Sequence, residues 1–179
     1  EGDDLPTDMS DWGGTADEHY LELGADEEAL VDKVASMDFE KVIILINSSY
    51  PFELGFLEEK GIDSVLWIGG PGETGMNAVA KILKGEVNPS GRTVDTYAYD
   101  LMSAPSYENW GDYHYADTEY EAVGYAGVEK RNLNFVEEAE GIYIGYRYYE
   151  TRWVDNKTGI CDENAYQKVV QYPFGYGLS

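Results

Sequence analysis

The sequence predicts an α/β domain: a doubly wound-like, three-layer α/β/α sandwich on a mostly parallel sheet, of which these residues form a part. Three observations carry that expectation. Residues 25–99 alternate helix and strand signals in regular order, which implies parallel strands joined by helical crossovers. The runs KVIILIN (41–47) and SVLWI (64–68) are apolar on both faces, as in strands covered by helices above and below. Glycine-containing turns punctuate the elements.

The elements follow in order. Residues 1–24 are acidic, with Pro6 and Gly13-Gly14, and read as a loop. A loop of that length in a compact domain is usually functional or disordered. A first helix is expected over 25–37, with Asp26 as its cap and Leu30, Val31, Val34 and Ala35 on one face. The strand 41–47 comes next, then a Ser-Ser-Tyr-Pro turn into a second helix that Gly61 ends. After the strand 64–68, in which Trp67 reads as core, Gly69-Gly70-Pro71-Gly72 turns into a third helix over 74–84. That helix carries a stripe of Met76, Val79, Ala80 and Leu83. Residues 92–99 alternate like an exposed or edge strand. Three strands make a small sheet, so further strands are expected upstream of Glu1. Residues 100–135 lack periodicity and read as a long ordered loop, and 136–153 as a short strand or paired segment.

Composition narrows the function classes. With 12 Lys+Arg against 35 Asp+Glu, the formal charge of −23 repels nucleic acid and anionic membranes but leaves neutral partners such as sugars unaffected. The same charge equally serves solubility. Sixteen tyrosines suit a sugar-binding surface or an interface, and equally a core. The lone Cys161 allows no intrachain disulfide, and runs such as 42–46 are too short to span a bilayer. His19 and His114 are isolated and Cys161 has no metal-ligand spacing around it, so no zinc site is expected. The Gly69–Gly75 turn lacks the Lys-Ser/Thr of a phosphate loop, and Glu73 would repel phosphate, so it reads as a structural turn.

Three motifs then occur in order: PGETG (71–75) followed by AVAKILKGEVNPSGR (78–92), EGIYIGYRYYE (140–150) and FGYGLS (174–179). Together they resemble the second domain of glycoside hydrolase family 3, although Thr93-Val94-Asp95-Thr96-Tyr97 stands where that family usually has Leu-Pro-Val-Thr-Phe. The resemblance implies that 1–179 is the second, C-terminal domain of a β-glucosidase-like enzyme that removes terminal β-linked glucosyl residues with retention. It also implies a preceding (β/α)₈ barrel domain as partner, carrying the nucleophilic aspartate, an oligosaccharide or glycoside as substrate, and no cofactor. Retaining glycosidases need a nucleophile and an acid/base carboxylate about 5 Å apart. The opening Glu1-Gly2-Asp3-Asp4 resembles the family's acid/base loop, which makes Glu1 the first candidate. Glu140 is the second, with a structural hydrogen-bonding role as its alternative. Trp12, Trp110, Tyr113 and Tyr115 lie in polar loops, where they either stack on a sugar ring or pin the loop down. Two other functions stay open: a β-xylosidase or other exo-glycosidase of the same family, and a non-catalytic domain that braces the barrel or binds sugar.

Overall fold

The computed structural model describes residues 21–109, 113–124, 127–157 and 165–178. Helix α1 (Ala25–Ala35) leads into strand β1 (Ile43–Ile46), the short helix α2 (Phe56–Glu59), strand β2 (Ser64–Trp67) and helix α3 (Gly72–Leu83). Each lies within a few residues of where its periodicity puts it. The cap of α1 differs: Gly24 is the N-cap, and the Glu27 carboxylate reaches back to accept from the Gly24 N–H at 3.1 Å. Asp26 sits in the first turn instead. Helix α2 begins five residues after Pro51, so Pro51 belongs to the approach and not to the first turn. An ion pair of Lys60 with Asp32, 2.6 Å long, ties the end of α2 to α1.

β1 and β2 pair in parallel, Ile43 opposite Ser64 through Ile46 opposite Trp67. The inner face of this pair is covered: Ile44, Ile46 and Val65 pack on the buried cluster of Leu54, Leu57 and Tyr97. The outer face is bare. Ile43 is 45%, Leu45 37% and Trp67 43% exposed, which corrects the expectation of strands buried on both sides and of Trp67 in the core. Trp67 is fixed from one edge, its indole N–H donating to the Ser48 carbonyl at 2.8 Å. Only Val79 of the α3 stripe is buried, while Met76 and Leu83 are exposed.

A single, mostly parallel sheet does not form among the described residues; the other three strand pairs are antiparallel. Strand β3 is only Tyr97–Ala98, and it is buried, not an exposed edge. Its partner lies far along the chain. After β3 come a 3₁₀ turn (Leu101–Ser103), helix α4 (Pro105–Asn109) and strands β4 (Tyr113–His114), β5 (Tyr120–Gly124), β6 (Gly127–Arg131) and β7 (Asn134–Phe135). β5 pairs with β6 and β4 with β7, so the stretch 100–135, expected as a long loop, contains two antiparallel strand pairs as well as a 3₁₀ turn and a helix. The expected strand in 136–153 is instead the start of helix α5 (Tyr146–Lys157). Helix α6 (Ala165–Val169) then runs into strand β8 (Val170–Tyr172), which pairs with β3.

The second core forms at this junction. Ala98, Leu101, Tyr149 and Val170 are buried together, flanked by Tyr148, Tyr166 and Val169. Two side chains join it to the first core. Gln171 donates to the Leu54 carbonyl at 3.0 Å, and Glu53 accepts from the Leu101 N–H at 2.7 Å.

Candidate functional site

The three motifs that stand apart in the sequence meet in space. Past Gly91, residues 92–93 run beside the chain's end. The Thr93 N–H donates to the Tyr176 carbonyl, and the Gly175 N–H to the Thr93 carbonyl, both at 2.8 Å. The Thr93 hydroxyl donates to the Pro173 carbonyl at 2.8 Å and accepts from the Tyr176 N–H at 2.9 Å. Arg92 donates to the Gly175 carbonyl at 2.9 Å. The approach explains a glycine: a Cβ on Gly177 would stand 2.7 Å from the Gly91 carbonyl oxygen, closer than packing allows.

The middle motif closes the same junction from α5. The Tyr146 ring stacks on Phe174 with centroids 4.3 Å apart. Tyr149 is buried against Ala98, Leu101 and Val170. Tyr148 takes a hydrogen bond from Arg152 at 2.9 Å, one helical turn on, with the guanidinium also over its ring. Glu150 accepts from the Tyr166 hydroxyl at 2.9 Å, fastening α6 to α5. Burial first, and then the Glu150 carboxylate, push the Tyr166 phenol well above its ordinary value. Burial likewise raises Tyr97, Tyr149 and Tyr172. These phenols therefore keep their protons at neutral pH and into the alkaline range.

Between β3, α4 and the start of α5 lies a cavity of about 280 Å³. Its walls include Pro51, Thr96, Leu101, Tyr107, Tyr146 and Tyr149, with Asp95 also lining it. No sequence signal announces this cavity, because its walls come from four separate stretches of chain.

The sequence candidates fall in different places. Glu1, Trp12 and Trp110 lie outside the described residues. Glu140 is half-buried in the turn before α5, where its carbonyl accepts from the Tyr143 N–H at 3.1 Å. Tyr113 and Tyr115 come together, but on Phe135: their ring centroids lie 5.6 Å and 4.9 Å from it. His114 Nδ1 and Asn134 Oδ1, 3.0 Å apart, add a polar tie across the same strand pair. Both rings pack on Phe135 in this ribbon and stay 39% and 54% exposed. No cluster of His, Cys, Asp or Glu among the described residues could hold a metal ion, and no described helix is long and apolar enough to cross a membrane.

Comparison with known proteins places these motifs. Residues 5–179 match the profile described as Glycosyl hydrolase family 3 C-terminal domain. Over 153 residues the chain is 33% identical to a β-glucosidase of Ruminococcus albus, covering 86% of this chain and 13% of that protein. Over 164 residues it is 31% identical to an exo-α-(1→6)-L-arabinopyranosidase of Bifidobacterium longum, covering 91% and 17%. The crystal structure of a β-glucosidase from Paenibacillus barengoltzii superposes with a TM-score of 0.61 at 29% identity, over 89% of this chain and 14% of that one. The chain thus spans well under a fifth of each relative's length.

Proposed function

Because the chain belongs to the glycosyl hydrolase family 3 C-terminal domain family, we propose that residues 1–179 are the second domain of a retaining, exo-acting β-glucosidase. Its partner is a (β/α)₈ barrel domain of the same enzyme. In this reading the barrel carries the aspartate nucleophile, and Glu1 is the acid/base that protonates the leaving oxygen and then activates water. The substrate is an oligosaccharide or glycoside with a terminal β-linked glucosyl residue. The parallel β1–β2 pair is one part of a three-layer sandwich, whose remaining strands would pair at the free edge of β1 and whose further helices would cover the outer face of Ile43, Leu45 and Trp67.

The observation that carries the reading is the convergence of the three family motifs on one junction, in a chain that matches the family from residue 5 to residue 179. A second specificity has its own support, since an exo-α-(1→6)-L-arabinopyranosidase stands beside β-glucosidases among the relatives. A panel of aryl β-glucoside, β-xyloside and α-L-arabinopyranoside separates the two.

The mechanism is tested in the enzyme with its barrel. Glu1→Gln should slow an unactivated disaccharide by about 10²–10⁴-fold, the usual range for general acid–base catalysis. It should slow a dinitrophenyl glucoside far less, and azide should restore turnover of that substrate. The same change at Glu140 should cost less and show no azide rescue. Rescue at Glu140 with near-normal rates at Glu1 would move the acid/base to Glu140, and normal rates in both would favour a bracing or sugar-binding role. The isolated chain should not hydrolyse aryl β-glucosides, and clear turnover by the purified chain would refute the missing-nucleophile reading.

A further inference from the structure

Two of the family motifs carry an aromatic, apolar patch that nothing in the chain covers. Ile142, Tyr143 and Ile144, in the turns before α5, are exposed, and so is Tyr146 at its start. The stack of Tyr146 on Phe174, 4.3 Å between centroids, joins them to the second stretch, where Phe174 and Tyr176 are exposed as well. The exposed Arg147 holds its guanidinium 5.8 Å from the Tyr146 ring centroid and forms no ion pair among the described residues. Tyr, Phe and Arg are the residues enriched where proteins bind one another. The group includes no carboxylate, in a chain with 35 Asp+Glu. Its backbone is already fixed: the Tyr143 N–H donates to the Glu140 carbonyl at 3.1 Å, and the Gly175 N–H to the Thr93 carbonyl at 2.8 Å. A partner would therefore meet a preformed surface, with little ordering left to do.

Size, charge and length choose the occupant. A second copy would bring another formal charge of −23 against the first, and the same charge repels an anionic membrane. A free protein partner engages about 20–30 residues on each side, far more than this patch offers. A tethered domain needs less, because its linker holds it at an effective concentration near millimolar. Both stretches lie inside the span that matches the family profile, residues 5–179. The relatives run far beyond that span, which is 13% of the Ruminococcus albus β-glucosidase. A cover for family motifs is thus available within proteins of that length. We propose that this patch is the face on which the (β/α)₈ barrel domain of the same enzyme docks. Tyr143, Tyr146 and Phe174 supply the aromatic contact, and Arg147 meets a carboxylate of the barrel. That the occupant is a barrel rests on the glycosidase reading; that it is tethered does not.

A benzophenone photo-cross-linker placed at residue 143 of the barrel-containing enzyme tests the proposal. Peptide mapping should find the cross-link in the barrel. A cross-link to another part of the α/β domain, to a second molecule, or to nothing overturns the docking face. Variants give a second measurement. Tyr143→Lys and Ile144→Lys should each speed protease cleavage between the two domains about fivefold or more, because cleavage follows the fraction undocked. Val123→Lys, at another bare site in β5, should leave cleavage unchanged. Unchanged cleavage in both patch variants overturns the proposal. Equal acceleration by Val123→Lys shows a general loosening and overturns it too. Hydrolysis of aryl β-glucoside by the same enzyme is measured in parallel. Hydrolysis without a cross-link to the barrel sinks the docking face alone, and the cross-link without hydrolysis sinks the glycosidase reading alone.

Discussion

Around the motif junction, residues 91–107, 145–157 and 165–178 bury Ala98, Tyr149 and Val170 in one cluster and bind backbone to backbone across more than 80 residues of sequence. In the helix–strand run 25–85, by contrast, Leu30, Ile43, Leu45, Trp67, Met76 and Leu83 all remain exposed. Both regions are rich in apolar residues and neither buries all of its own: the run buries Leu54, Leu57 and Val79, while Val94, Phe174 and Leu178 stay exposed at the junction. Packing there is three-sided, whereas β1 and β2 form a ribbon with one covered face. Among the described residues nothing covers the outer apolar face of Ile43, Leu45 and Trp67. What sets the junction apart is that its buried cluster and backbone bonds join segments far apart in sequence.

The largest test of that contrast is Tyr149→Ala. Removing a buried aromatic should cost about 3–5 kcal/mol, read as a lower denaturant midpoint. A loss below 1 kcal/mol would mean that the junction is not the stabilising core. Gly177→Ala comes next. Its Cβ must push against the Gly91 carbonyl, and a loss of about 1–3 kcal/mol in thermal melting is expected. Normal stability would show that the two strands of chain are free to part.

The pH dependence comes third. Tyr97, Tyr149, Tyr166 and Tyr172 hold their protons more tightly in the fold than unfolded phenols do, for which the ordinary value is about 10. The folded state binds more protons in that range, so stability is fully present below about pH 10 and falls as pH rises through the folded values. In the 25–85 run the raised group is Lys60, held up by its hydrogen bond to Asp32 and screened by solvent. Alkaline unfolding should therefore begin at the junction, where the raised phenols are part-buried. Phenolate absorbance rising in step with loss of the junction's near-ultraviolet circular dichroism would bear this out, and early melting of the run would contradict it. The smallest effect belongs to the bare face. Leu45→Ser should change chain stability by no more than about 0.5 kcal/mol, the norm for a surface site. The same change should reduce any self-association seen by light scattering. A large loss of stability would mean that this face is already covered.

The run was the more legible region because its helices and strands obey their periods: α1, α3, β1 and β2 all fall where apolar spacing puts them. The junction was legible only as motifs. Nothing in NPSGR or FGYGLS indicates that Thr93 pairs with Tyr176, since pairing at that distance leaves no local period. The two misread regions have specific causes. In β5 the burial alternates from Glu121 to Gly124, but the apolar Val123 is 88% exposed, so hydropathy along the strand does not follow the alternation that would betray it. In α5, the β-favouring residues of YRYY suggested a strand, yet they form a helix held by the Arg152–Tyr148 pair and by the burial of Tyr149. The catalytic candidates were legible only through the resemblance, while the cavity was not legible at all.

The bond between Thr93 and Tyr176 also sets a clock. Chains leave the ribosome at about 5–20 residues per second, so the 83 residues between them take roughly 4–16 s to emerge. For that interval Tyr97 and Ala98 have no strand to pair with, while the 25–85 run can already fold from its own short-range contacts. Residues 170–176 thus close a gap that residues 93–98 open much earlier in synthesis. Nascent chains halted before β8 should engage apolar-binding chaperones through residues 94–101, and they should release once Tyr176 clears the exit tunnel.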